Sequence, residues 1–215
     1  AIHAVPLDTR LLNWGVGGGI TTTRSKVTDM GGSAPFSTGN LARIREGYAP
    51  PAFFGRRVTN PTELADPVFE NDAFLGNVLP DLTINMNTDV SVGPLSVSAV
   101  GELVKGGHIV NSVAWLNTVR GVWPGCVDAQ VQDSVSGRAG LTAAQRAQCL
   151  TRSPSFLGAD QFVESWDFFK LRSLSATFRL PQQWLPPGIA SATLSAVGSN
   201  LFKISDYTGI DPESH

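Results

Sequence analysis

Residues able to do chemistry are few and scattered. The two cysteines, Cys126 and Cys149, share the long stretch 106–166. An even count fits either one disulfide or two free thiols. His3, His108 and His215 lie far apart with no metal-ligand spacing, so no metal site is expected and they read as exposed polar residues. Gly15-Val16-Gly17-Gly18-Gly19 is dense in glycine, but no Gly-Lys-Ser/Thr follows and no helix is signalled. Small residues in a tightly packed strand explain it better than a phosphate cradle. Asp160, Glu164 and Asp167 have the side chains of a hydrolytic carboxylate pair, yet they flank the start of a strand and read as solvated charges. There is no Gly-x-Ser-x-Gly motif and no cysteine–histidine pair at a telling spacing. The residues therefore predict no catalytic, cofactor-binding or metal-binding site, and no enzyme.

Composition narrows the class. Charged residues make up 16 % of the 215 positions, against roughly 25 % in an ordinary soluble domain. The formal net charge of −2 excludes a strongly basic nucleic-acid binder. A hydrophobic content of 42 % excludes an acidic disordered tail. No run of about 18 apolar residues occurs, so no transmembrane helix is expected. The sequence opens at Ala1 without a basic, then apolar leader, so either a signal peptide has been removed or the gene product begins further upstream.

The elements that must position any site are strands. Over 82–91, Leu82, Ile84, Met86 and Val90 fall on one side, with Thr88 among them. Thr83, Asn85, Asn87, Asp89 and Ser91 fall on the other. That is a strand with one apolar and one polar face. Val92-Gly93-Pro94 punctuates the chain, and a second alternating run follows: Leu95, Val97, Ala99 and Leu103 against Ser96, Ser98 and Glu102, with Val100 out of pattern. The pair predicts a hairpin. Leu174, Ala176, Phe178 and Leu180 alternate with Ser173, Ser175, Thr177 and Arg179. After a proline-rich break at 181–188, Ala190, Ala192, Leu194 and Ala196 repeat the pattern. Residues 11–27 form a weaker strand. Between the hairpins, 29–80 and 106–166 look irregular, and loops of that length are uncommon inside a compact soluble domain. Only 141–150 looks helical, with Thr142 and Gln145 placed for a capping box.

Alternation has two physical causes. One face of a soluble β-sandwich meets a core; one face of an outer-membrane barrel meets lipid while the other meets the lumen. Short turns alternating with long loops fit the barrel. Trp166, Phe168 and Phe169 at the start of the 168–180 strand, and Trp184 just past its end, are placed like aromatic girdles. At about 3.3 Å per residue and a tilt near 40°, the span from Phe169 to Leu180 is roughly 28 Å, close to a bilayer's apolar band. These residues serve equally well as sandwich core, and on these features alone the two readings stand level.

Residues 162–211 tip the balance. Phe168-Phe169-Lys170-Leu171-Arg172, then Ser199-Asn200-Leu201-Phe202, Tyr207-Thr208-Gly209 and Asp211-Pro212-Glu213, resemble the C-terminal barrel region of SusC/RagA-type TonB-dependent outer-membrane receptors. Upstream, Lys26-Val27-Thr28-Asp29, Gly47-Tyr48, Phe53-Phe54-Gly55 and Phe74-Leu75-Gly76-Asn77 with Pro80-Asp81 resemble further segments of that family, in order. The resemblance implies an all-β, antiparallel, up-and-down transmembrane β-barrel segment. It would form an open, curved sheet with long extracellular loops and one short loop helix. Residues 1–215 would be part of the receptor's barrel domain, with the plug domain and closing strands outside the sequence. About six strands are expected, perhaps eight, against the 22 of such transporters.

The resemblance further implies import of oligosaccharides or peptides across the cell outer membrane, in contact with lipid. A SusD-like surface lipoprotein and the TonB energy-coupling system would be partners, and nucleic acid would not. An exported setting favours a Cys126–Cys149 disulfide, with Cα atoms within about 7 Å. The alternatives are a siderophore-type TonB-dependent receptor and a secreted, soluble β-sandwich adhesion or carbohydrate-binding module. In the barrel, Leu82, Ile84, Met86, Val90, Leu174, Phe178, Leu180 and Leu194 share one side of a common sheet. Asn85, Asn87, Ser175, Thr177 and Thr193 share the other. The turns at 92–94 and 182–188 lie at one, periplasmic, end, and the two long stretches gather together at the opposite end. No core large enough for a soluble domain is expected.

Overall fold

Two-residue periodicity becomes six long strands. In the computed structural model, which describes residues 1–150, 158–211 and 213, β1 (Ile2–Asp8) and β2 (Leu12–Thr22) are followed, after four strands of another sheet, by β7 (Leu82–Val92) and β8 (Leu95–Lys105). Two further short strands precede β11 (Phe168–Arg179) and β12 (Thr193–Ser205). The six long ones form one antiparallel sheet in the order β1-β2-β7-β8-β11-β12, with β1 and β12 as its outer strands. They belong to one compact unit, residues 1–23, 81–105 and 167–206.

Turn chemistry fixes the register. Val92 pairs with Leu95 across Gly93-Pro94, and Gly93 has φ +55°. A positive φ at the first of two loop residues is the II′ arrangement, whose twist matches a hairpin and which glycine adopts without a Cβ clash. Gly93 N–H donates to Leu11 O at 3.2 Å, and Arg179 N–H to Pro94 O at 2.9 Å. The turns after β1, β7 and β11 therefore lie at one end of the sheet, as the up-and-down pattern requires. One irregularity interrupts β11. Leu171 pairs with Gly101 but Ser173 with Val100, so Arg172 is an extra residue that shifts the alternation from odd to even positions.

The long stretches are not loops. The second compact unit comprises 24–80, 106–166 and 207–215. It holds a four-stranded antiparallel sheet of β3 (Phe36–Ser37), β4 (Ala42–Ile44), β5 (Ala52–Val58) and β6 (Phe69–Asn77), and a two-stranded ribbon of β9 (His108–Val110) and β10 (Val163–Ser165). The expectation of one short helix also fails: among the described residues three α-helices occur, α1 (Ser112–Val119), α2 (Val127–Ser136) and α3 (Ala143–Cys149). The α3 helix has the expected capping box between Thr142 and Gln145. Helices α1 and α2 are rich in Val, Ser, Asn and Asp, which form isolated helices poorly. Packing and a cap hold them instead, with Asn111 Oδ1 accepting from Ala114 N–H at 2.9 Å.

This unit has its own core, against expectation. Phe54 is fully buried, and its ring meets Tyr48 at 4.9 Å and Phe74 at 5.8 Å. Cys126, Ala129, Leu141 and Cys149 form one buried cluster, and Val58, Ala143 and Ala147 another. No helix among the described residues is long and apolar enough to cross a membrane, which says nothing of strands.

Candidate functional site

The six-stranded sheet has two chemically opposite faces, and the register assigns each residue to one. Ile84 pairs with Ile20 and Leu103, Val90 with Trp14 and Val97, and Leu174 with Ala99 and Gly198. Phe178 pairs with Leu95 and Leu194, and Ile2 lies opposite Gly18. One side of all six strands is thus almost wholly apolar, as the alternation predicted. In a water-soluble sheet such a face would be covered. Here Ile20 is 71 % exposed, Leu194 68 % and Ile204 65 %.

The indole of Trp14 is paired within this face. Trp14 Nε1–H donates to Thr88 Oγ1 at 2.9 Å, and the Thr88 hydroxyl donates to Gly15 O at 3.1 Å. This leaves no bare donor on the indole, as an apolar surrounding demands. Aromatic rings gather near both strand ends. Phe169 meets Phe202 at 5.8 Å, and Phe178 meets Trp184 at 6.0 Å. Trp166 is a correction. Placed above among the girdle aromatics, it lies in the second unit, its indole N–H donating to Val78 O at 3.3 Å. Phe168 differs too: the register puts it on the polar side of β11, buried.

The other face is polar. Asn85 faces Glu102, Asn87 faces Val100, and Thr177 faces Ser195. Hydroxyls link neighbouring strands, with Ser98–Ser175 at 2.7 Å and Ser91–Ser96 at 2.9 Å. The glycine-dense segment serves this face. A Cβ on Gly15 would stand 2.6 Å from Asp89 Oδ1, and one on Gly17 would stand 2.7 Å from Asn87 Oδ1. The missing side chains let Asp89 and Asn87 lie across β2, which agrees with a packed strand and not a phosphate loop. Towards the opposite end of β11, Arg172 Nε donates to Glu102 Oε2 at 2.7 Å. Lys170 Nζ stands 5.2 Å from the centre of the Phe168 ring. A half-buried ion pair beside a cation on an aromatic ring gives this end of the polar face a fixed charge pattern.

The other candidates disperse. Cys126 and Cys149 are bonded, with Cα atoms 5.1 Å apart. His3 is exposed on β1, His108 lies in the second unit, and His215 falls outside the described residues. No cluster of three metal-binding side chains occurs among the described residues. Two of the three acidic residues, Asp160 and Glu164, are not merely solvated. Asp160 Oδ2 accepts from Val58 N–H at 2.9 Å. Glu164 accepts from Asn111 Nδ2 at 2.9 Å and from Thr208 N–H at 2.8 Å. These carboxylates are structural acceptors joining segments far apart in sequence, which local spacing does not reveal.

Beside that junction, burial and then the Glu164 charge raise the Tyr207 phenol above its ordinary 10.0. The neutral phenol is favoured in the folded state. Its contribution to stability is whole below pH 10 and declines as pH climbs through the raised value. Tyr48 and Tyr207 are the chain's two tyrosines. In a Tyr48→Phe variant, phenolate absorbance is expected to appear only above pH 10, with a midpoint that falls when Glu164→Gln removes the charge. An unchanged midpoint would show that Glu164 has no part in it.

An antiparallel sheet of sequential strands with one exposed apolar and one polar face defines the class. Solved structures share the fold. Over 99 % of its length the chain is similar to a chain of the RagAB peptide importer in the closed-closed state, with a TM-score of 0.74 and 15 % identity. For the open-open state of that importer the TM-score is 0.75, again at 15 % identity. The chain spans 26 % and 25 % of those chains' own lengths. No protein-family model matches the chain, and no curated protein does.

Proposed function

We propose that this chain is part of the transmembrane β-barrel of an outer-membrane, TonB-dependent nutrient transporter of the SusC/RagA type. Peptides or oligosaccharides are its cargo, and a SusD-like surface lipoprotein is its partner. The observation that carries the reading is the continuous apolar face, exposed on all six strands. A lipid-facing surface needs such a face, and a soluble sandwich would bury it. The likeness to the RagAB peptide importer supports it at the level of fold. The polar face lines the lumen, and the two aromatic groups sit at the bilayer interfaces. The role is transport, not catalysis, and uses no resident cofactor or metal.

Gene deletion tests this directly. Uptake of labelled peptides or oligosaccharides too large for porins is expected to fall to background, and to fall likewise when TonB is removed. Undiminished uptake of both classes would refute the reading. Spin labels give a second check. A label at Leu174 is expected to be accessible to oxygen dissolved in lipid, and one at Ser175 to a water-soluble relaxant. Reversed accessibilities would show that the face assignment is wrong.

A further inference from the structure

The second unit contains a cavity that nothing above uses. Its volume is about 230 Å³, and Phe53, Val78, Ile109, Val110 and Trp166 line it. Two polar side chains complete the wall: Asn40, which is exposed and stands at the mouth, and His108. Glycines allow the ring walls to lie flat. A Cβ on Gly76 would meet the His108 ring at 2.4 Å, and one on Gly107 would meet Trp166 Nε1 at 1.8 Å. Backbone bonds fix the frame. Trp166 N–H donates to Gly107 O at 3.1 Å, and Val78 N–H to Pro51 O at 3.2 Å. His108 Nδ1 is buried without a hydrogen-bond partner, a cost a fold tolerates more readily at a working site than in an idle core.

Size and lining select the ligand. A dry cavity of about 150 Å³ walled by Leu, Ile and Phe holds a benzene molecule. This one, somewhat larger, suits a single aromatic or branched aliphatic side chain and is too small for a dipeptide. Its apolar lining repels a charged side chain or a sugar ring. We propose that the cavity takes one apolar side chain of a peptide, with the peptide backbone crossing the mouth beside the Asn40 carboxamide. The inference rests on the importer reading, narrowing its cargo to peptides with an apolar anchor residue.

The test uses the full-length receptor and defined probes. N-acetyl-phenylalanine amide and N-acetyl-leucine amide are expected to bind the purified protein at least about tenfold more tightly than the glycine amide, the value of burying such a side chain. Val110→Phe fills the cavity, and Asn40→Trp blocks its mouth from an exposed position where folding is not at stake. Each is expected to abolish that preference. A peptide carrying a diazirine-modified phenylalanine is expected to crosslink within 108–110 or at Trp166. Equal binding of the three amides, an unaltered preference in both variants, or crosslinks confined elsewhere would each overturn the proposal. Peptide uptake by cells is scored separately. Uptake with no crosslink in the cavity sinks only the anchor site, whereas uptake that does not depend on the receptor sinks the importer reading and leaves the amide binding to judge the cavity.

Discussion

Leu174→Arg is expected to block stable insertion, while Val100→Arg one rung away is tolerated. The two positions stand almost side by side, Leu174 opposite Ala99 and Val100 opposite Ser173, but on opposite faces. Both are moderately exposed, Leu174 at 38 % and Val100 at 39 %. In water, a charge at either would change stability by no more than about 0.5 kcal/mol. On the lipid face near mid-membrane, arginine costs about 2–4 kcal/mol, whereas lumen positions accept charge. Folded fractions in phospholipid vesicles, read from the gel mobility of unheated samples across a urea series, give both numbers. Equal behaviour of the two variants would mean that no bilayer touches the Leu174 face, and the barrel assignment would fall.

The same rungs explain what was legible beforehand. In β7, β8 and the part of β11 beyond Arg172 the two faces keep opposite polarity, so the two-residue period survives in the sequence, with Val100 and Val104 on the polar side as exceptions. Strand β1 escaped because Pro6 and a register shift between Ala4 and Leu7 break its alternation. Proline is admissible there since the strand is an outer one. The sheet of β3–β6 was hidden by a stronger form of the same effect. Register shifts at Phe53/Phe54 and Gly55/Arg57, and positive φ at Asp72 and Gly76, scramble the period. What holds it is aromatic packing of Tyr48, Phe54 and Phe74 from different segments. Thr142 and Gln145 announced α3 locally. Helices α1 and α2 carry no comparable signal, because tertiary contact and not propensity makes them helical. The junction of Asn111, Glu164 and Thr208 was equally invisible, since its partners meet only after folding.

Removing the disulfide is the sharpest way to test how those weak helices are kept. Cys126 precedes α2 and Cys149 ends α3, 23 residues apart. The bond is buried among Ala129, Leu141, Trp123 and Leu150. Closing a loop of that length restricts the unfolded chain by about 3 kcal/mol. Few other restraints act on α2, whose Val131 and Val135 are exposed and whose residues favour other conformations. The double variant Cys126→Ala, Cys149→Ala avoids burying unsatisfied hydroxyls. It is expected to raise amide exchange across 127–149 by roughly a hundredfold, the equivalent of that energy if opening is local. Val58 packs with Ala143 and Ala147, so β5 is expected to loosen more mildly. The long strands β7, β8 and β11 contribute no residue to either cluster, and their exchange is expected to stay unchanged. Exchange mapped by mass spectrometry decides the matter. Undisturbed protection of α2 and α3 would show that packing alone suffices, and uniform loosening of both units would show that they unfold as one.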